Sequence, residues 1–239
     1  LVKWIYNKSD LILCQSNSFV KSIKKVVKDK SKVQLYYNPS DIKKVKFKKK
    51  SSKCRFNIMF AGNFGKAQNL EVLIDVAKKI KKNKDDIIIN LFGNGNQFSK
   101  IKNLVIKNQL KNIVKFYGYL SIRDIKKYYL NSNALLLTLK DGKALNKTIP
   151  AKLQTYLAFR KPILVSANGE INKLIKEKKL GLSTNSSNSG GLYKNILKIK
   201  QMKPKDYNKI TSNCNKFYKN NFLLKNNIEY LQNTLIKLV

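Results

Sequence analysis

From residue 55 onward the chain alternates short apolar runs with amphipathic helical patterns, and this alternation leaves few folds open. The apolar runs are FNIMFAG (56–62), IIINLFG (87–93), NIVKFYG (112–118), ALLLTL (134–139), PILVS (162–166) and a shorter GLST (181–184). Between them lie helical segments. In NLEVLIDVAKKI, Leu70, Leu73, Ile74, Ala77 and Ile80 share one face, and Glu71, Asp75 and Lys79 the other. FSKIKNLVIKN (98–108), SIRDIKKYYL (121–130), PAKLQTYLA (150–158) and GEINKLIKEK (169–178) follow the same rule. A strand apolar on both sides needs cover on both faces, and helices between strands make the strands parallel. The expectation is an α/β fold with a doubly wound parallel sheet, Rossmann-like in layout.

The first 37 residues carry the same pattern in brief. LILC (11–14) reads as a strand, SFVKSIKKVVKD (18–29) as a helix and KVQLYY (32–37) as a strand. Residues 38–54 hold Pro39 and a dense lysine run without core periodicity, which reads as a linker. The tail reads as helical to the end, with Leu224, Ile228, Leu231, Leu235 and Leu238 in one apolar stripe. No run reaches the roughly 18 apolar residues that a membrane-spanning helix needs. The opening LVKWIYNKSD has no initiating Met and reads as the middle of a longer chain.

Charge is informative mainly through its composition. The net charge is +37, and the 50 basic residues include three arginines, Arg55, Arg123 and Arg160. Lys, Asn, Ile and Tyr, all frequent here, share AT-rich codons, so base composition alone produces such a chain. Specific nucleic-acid readers favour arginine, whose planar fork contacts phosphate and guanine bidentately. Two readings stay open beside codon bias, an anionic membrane surface and nucleic acid; no specific nucleic-acid partner is expected, although so positive a surface attracts polyanions nonspecifically at low salt.

Cys14, Cys54 and Cys214 are far apart, in no C-x-x-C pattern, and there is no histidine. No metal site is expected from these residues, and no Ser-His or Cys-His nucleophile. A reducing, cytoplasmic setting fits the unpaired cysteines.

In a doubly wound sheet ligands bind at the carboxyl ends of the strands. Four loops lie there. The turn Gly62-Asn63-Phe64-Gly65-Lys66 offers backbone amides ahead of a helix and suits a phosphate. Gly93-Asn94-Gly95 and Gly118-Tyr119 follow the next two strands. The fourth, KDGKALNKTIPAK (140–152), is long for a connection in this fold. None matches a complete dinucleotide or P-loop fingerprint, and a glycine after a strand often only permits a positive φ. Asp85-Asp86 sits on the opposite rim and is no metal pair.

The stretches FAGNFGKAQNLEVLIDVA, FGNGN, VKFYGYLSIRDIKKYY and TIPAKLQTYLAFRKPILVSANGE, in this order and spacing, resemble the C-terminal, donor-binding domain of the GT-B-fold retaining glycosyltransferases known as family four. The likeness is strongest to bacterial O-antigen and capsule enzymes that transfer N-acetyl-fucosamine or a similar amino sugar. It implies the C-terminal half of a GT-B fold: residues 1–37 as the end of an acceptor-binding N-terminal domain, 38–54 as linker, 55–221 as the nucleotide-sugar domain, and 222–239 as a helix crossing back to the first domain. The missing half would include the family's catalytic histidine, so catalytic residues are not assigned and the fragment alone is expected to be inactive.

The resemblance also assigns donor contacts. Gly62, Asn63, Gly65 and Lys66 correspond to the pyrophosphate loop, Gly93 and Asn94 to the loop beside the nucleoside, and Gly118 and Tyr119 to the backbone at the base. The family's Arg and Lys in the first loop fall on Asn63 and Gln68, with Lys66 a substitute charge. Its paired glutamates fall on Lys147 and Thr155, a departure shared with the P-x-K-L-Q subgroup seen at Pro150, Lys152, Leu153 and Gln154. Arg160 stands where a glycine is usual. The implied reaction takes a UDP-sugar as substrate, without cofactor or metal, with Lys152 and Lys66 stabilising the leaving diphosphate. The implied acceptor is a lipid-linked sugar at the inner face of the membrane. The alternative is a noncatalytic basic α/β module that binds nucleotides or nucleic acid.

Overall fold

The computed structural model describes residues 1–42 and 55–238. The lysine run of the expected linker, with Cys54, lies outside the described residues. A small N-terminal unit comprises α1 (Val2–Lys8), β1 (Ile12–Cys14), α2 (Asn17–Lys24) and β2 (Val33–Leu35), with β1 and β2 parallel. The helix expected over 18–29 stops at Lys24. Its start is capped by Ser16, whose Oγ accepts from the Phe19 amide. Asp29 then accepts from the amide and hydroxyl of Ser31 and turns the chain into β2.

The main sheet comprises β3 (Phe56–Ala61), β4 (Ile87–Phe92), β5 (Val114–Gly118), β6 (Ala134–Thr138), β7 (Ile163–Ser166) and β8 (Gly181–Thr184). All six strands are parallel, in the order β5-β4-β3-β6-β7-β8. The connecting helices are α3 (Glu71–Lys82), α4 (Phe98–Lys107), α5 (Ile122–Asn131), α6 (Lys152–Ala158) and α7 (Gly169–Glu177). Then follow α8 (Ser189–Lys200), α9 (Pro204–Asn221) and α10 (Leu224–Ile236). Side chains alternate across β3: Ile58 and Phe60 pack with α3 residues in one core, Met59 and Ala61 with α6 residues in the other. The two layers explain why the strands read as continuous apolar runs. On the rim at the amino ends, Arg55 binds Asp86 at 2.7 Å and Tyr193 donates to Asp85, so both aspartates hold the fold together.

The tail is helical but broken twice. Pro204 starts α9, and at Phe222–Leu224 the backbone bonds to Ser40 instead. The rotation of α10 is set by contacts with the N-terminal unit and the residues that follow it. Tyr230 stacks on Tyr36 and donates to Gln34, and Tyr36 donates to the Asn227 carbonyl. These contacts turn Leu224, Ile228, Leu235 and Leu238 outward, where each is exposed.

The chain reverses its direction across the sheet between β3 and β6. These strands pair through Ile58 opposite Ala134 and Met59 opposite Leu135. Past that point the hydroxyl of the fully buried Tyr156, on α6, accepts from the Ala61 amide at 3.1 Å and donates to the Leu136 carbonyl at 3.0 Å. A side chain thus replaces ladder bonds where the strands part, and the parting opens a crevice. Tyr156→Phe leaves a buried N–H and a buried carbonyl without this partner. We expect a loss of about 2 kcal/mol, or roughly 4–8 °C in melting temperature. A variant that melts with the wild type would show that the two strands close onto each other instead.

Candidate functional site

The crevice is built by loops that bond to one another. The Gly62 amide donates to Phe92 O, the Gly93 amide to Gly118 O, and the Phe64 amide to Asn94 O, at 2.7–3.0 Å. The turns after β3, β4 and β5 therefore form one connected ledge. This corrects the expectation of a row of free amides at 62–66, since Gly62 and Phe64 are already engaged. Gly62 and Gly93 carry φ of 149° and 120°, which side chains rarely adopt. Gly65 does not: at φ −88° it is ordinary extended backbone. The chain then passes through a short 3-10 turn at Lys66–Gln68 before α3 begins.

Above the ledge lies a cleft of about 810 Å³. Six of the expected donor contacts line it: Gly62, Asn63, Gly93, Asn94, Tyr119 and Thr155. The wall toward α5 is apolar, with Leu120, Ile122, Ile125, Tyr129 and Phe159. Lys126 supplies a cation, and Asp41, at the end of the first described segment, is the one carboxylate among the described lining residues. Tyr119 is 83% exposed at the mouth.

The other expected contacts sit elsewhere. Gly118 joins the ledge through its carbonyl and does not line the cleft. Gly65 and Lys66, at the far end of the turn, do not line the cleft, and Lys66 is exposed. Lys147 does not line the cleft, and its backbone carbonyl accepts from Ser16 Oγ in the N-terminal unit. Beside it the Asn17 amide and Ser18 hydroxyl at the start of α2 hold the Glu170 carboxylate. That tie was not visible in the sequence, because its partners are about 150 residues apart.

Lys152 occupies the most telling position. Its Nζ is 2.6 Å from Gln68 Oε1 and 4.0 Å from the centre of the Phe60 ring. It abuts Gly62 so closely that a methyl on Gly62 would come within 2.9 Å of Nζ. Lys152 does not line the cleft; it stands immediately beside the Gly62 turn that does. Burial pulls its pKa down to about 7. No carboxylate pairs with it among the described residues. A half-buried ammonium with one hydrogen-bond acceptor keeps donors available to an anion.

The two described cysteines, Cys14 and Cys214, are inert as nucleophiles. Burial raises the Cys14 thiol and pushes Cys214 up to about 12. Among the described residues no group of three or more Cys, Asp or Glu is placed to hold a metal ion, and no helix is long and apolar enough to cross a membrane. Arg160 adopts φ 49°, a left-handed conformation that a glycine takes without strain, which accounts for the glycine usual at this position.

Comparison with known proteins adds three likenesses. An uncharacterised glycosyltransferase of Methanocaldococcus jannaschii is 22% identical over 212 residues, covering 82% of this chain and 51% of that protein. Anabaena HepE, solved in complex with UDP, superposes with a TM-score of 0.81 at 16% identity, over 98% of this chain and 65% of that one. A glycosyltransferase from Rickettsia africae gives the same TM-score and identity over 99% and 66%. The chain thus spans about half the length of its curated relative and about two thirds of these solved structures. The fold is that of the GT-B glycosyltransferases. The family model described as glycosyl transferases group 1 matches residues 41–217, from the cleft residue Asp41 through all six strands into α9, and the chain belongs to that family.

Proposed function

We propose that this chain is the donor-binding part of a glycosyltransferase that takes its sugar from a nucleoside diphosphate, with UDP as the nucleotide. The observation that carries this reading is the Gly62 ledge at the strand reversal, with the unpaired Lys152 ammonium beside it. A diphosphate lying along the ledge meets that ammonium, and Asn63 and Asn94 offer side-chain amides in the same cleft. The UDP in the Anabaena relative supports the choice of nucleotide.

The finer reading is a retaining transfer of an N-acetylated amino sugar to a lipid-linked acceptor, in surface polysaccharide synthesis at the cytoplasmic face of the membrane. Its support is the resemblance in residues 148–170 and the lysine-rich surface, which favours an anionic leaflet. The leaving diphosphate is stabilised by protein cations without a metal, a reading supported by a cleft with a single described carboxylate. Thr155 lines the cleft at the position that the resemblance gives to the family's second glutamate, and Lys147 is not among the lining residues.

Titration calorimetry at about 150 mM salt tests the reading with UDP, GDP, ADP and a short DNA duplex. UDP should bind more tightly than GDP or ADP, with DNA binding lost as salt rises. Salt-resistant DNA binding without a UDP signal would sink it in favour of a nucleic-acid module.

A further inference from the structure

We propose that Gln68 is a positioning residue whose side-chain carbonyl holds the Lys152 ammonium against the Gly62 turn, so that the charge serving the donor diphosphate comes from α6 across the crevice. The inference rests on the diphosphate reading of the cleft.

The backbone around Gln68 is fixed on several sides. Its amide donates to Gly65 O at 3.0 Å. Its carbonyl accepts from Thr138 Oγ1 at the end of β6, and the neighbouring Ala67 carbonyl accepts from the Lys140 amide at 2.9 Å. The 3-10 turn is thereby tied to the strand on the far side of the strand reversal. The fixed backbone sets where the Gln68 side chain begins, and Lys152 Nζ meets its Oε1 at 2.6 Å. The Phe60 ring face supports the ammonium from below at 4.0 Å. A long lysine otherwise samples many rotamers, and two fixed contacts remove that freedom before the ligand arrives.

A neutral acceptor suits this task better than a carboxylate. Gln68 accepts one hydrogen bond and leaves the positive charge uncompensated, whereas a glutamate would neutralise it and repel a diphosphate. The surroundings agree. On the 3-10 turn Lys66 is exposed, at the end of β6 Lys140 is exposed, and the backbone of Lys147 is bonded through its carbonyl to Ser16 of the N-terminal unit. On α6 itself the Tyr156 hydroxyl is engaged between β3 and β6. β3 and its turn contribute Phe60 and Gly62, which carry no charge. Desolvation alone then governs Lys152 and brings its proton loss to about pH 7. Binding an anion restores that proton, so affinity falls as pH rises above 7, by at most tenfold per pH unit.

The test compares wild type, Gln68→Ala and the near-isosteric Gln68→Glu with UDP-glucose, whose diphosphate keeps a constant charge between pH 6 and 8.5. In wild type, affinity should drop about tenfold across that range. Gln68→Ala should lose about tenfold at pH 6 and become flat with pH, because the ammonium moves out to water. Gln68→Glu should lose more and also be flat. NMR titration of ε-carbon-labelled lysines in the unliganded protein, with Lys152 assigned by its loss in Lys152→Met, should show a midpoint near 7 that rises by a unit or more in Gln68→Glu. A Gln68→Glu variant that keeps the wild-type affinity and pH profile overturns the inference and leaves the nucleotide reading intact. A Lys152 midpoint near that of the other lysines overturns it without any ligand. A wild type that binds neither UDP-glucose nor UDP overturns both.

Discussion

Lys152→Met should weaken UDP binding about 10²-fold at pH 6, or ~2.7 kcal/mol, while the unliganded protein melts no earlier than wild type. The two halves of this expectation have one origin. The ammonium is held in a half-buried place without a carboxylate partner, so it costs the unliganded fold desolvation and benefits only the complex. Methionine keeps an unbranched stem over the Phe60 ring and removes the charge. The sign of the pH effect follows. The unfolded chain keeps the lysine proton up to the ordinary lysine range, while the folded chain releases it near pH 7. The unfolded state therefore binds more protons from about pH 7 upward, and wild-type stability should rise through that window. The methionine variant should lack the rise. Calorimetry and thermal melts at pH 6 and 9 measure both halves, with Lys82→Met, in the last turn of α3, as a control for bulk charge. Equal losses of UDP affinity in the two variants would show that the cleft responds only to overall charge.

The parallel sheet was legible because its strands are buried on both faces, which forces unbroken apolar runs such as Ile87–Phe92 and Ala134–Thr138. Periodicity showed the α3 face for the same reason. Three features were out of reach. The place where the strand order reverses depends on which strands become neighbours, and nothing local in β3 or β6 states it. The role of Tyr156 depends on that reversal, since its hydroxyl serves a gap that exists only once the strands part. The difference between Lys66 and Lys152 is likewise nonlocal. Both are lysines in candidate loops, yet α6 brings Lys152 onto Phe60 and Gln68 while Lys66 points to solvent. The stripe on α10 was legible as a pattern, but which way it faces is set nonlocally, by the stacking of Tyr230 on Tyr36.

Glycine in these loops had two meanings in the sequence, and the geometry separates them. Gly93→Ala should be among the most damaging single changes in the ledge. An added Cβ at Gly93 would lie 2.0 Å from the Gly62 carbonyl oxygen, in a conformation with φ 120°. Backbone cannot step aside as a flexible side chain can, and the Gly93 amide is bonded to Gly118 O on the other side. Strain and steric conflict together should cost at least ~3 kcal/mol, or roughly 6–12 °C in melting temperature. Relief requires the Gly62 turn to move, so UDP affinity should fall more than tenfold in the protein that remains folded at low temperature. Gly65→Ala provides the contrast. At φ −88° its new methyl meets only the flexible Asn63 side chain, at 3.2 Å, and its stability should change by less than about 0.5 kcal/mol. Its effect on UDP binding then reports how closely a ligand approaches that part of the turn. If Gly93→Ala melted and bound UDP like wild type, the ledge would be too pliable to position a diphosphate. A retained melting temperature with lost affinity in Gly65→Ala would instead extend the binding surface past Asn63, to the edge of the 3-10 turn that carries Gln68.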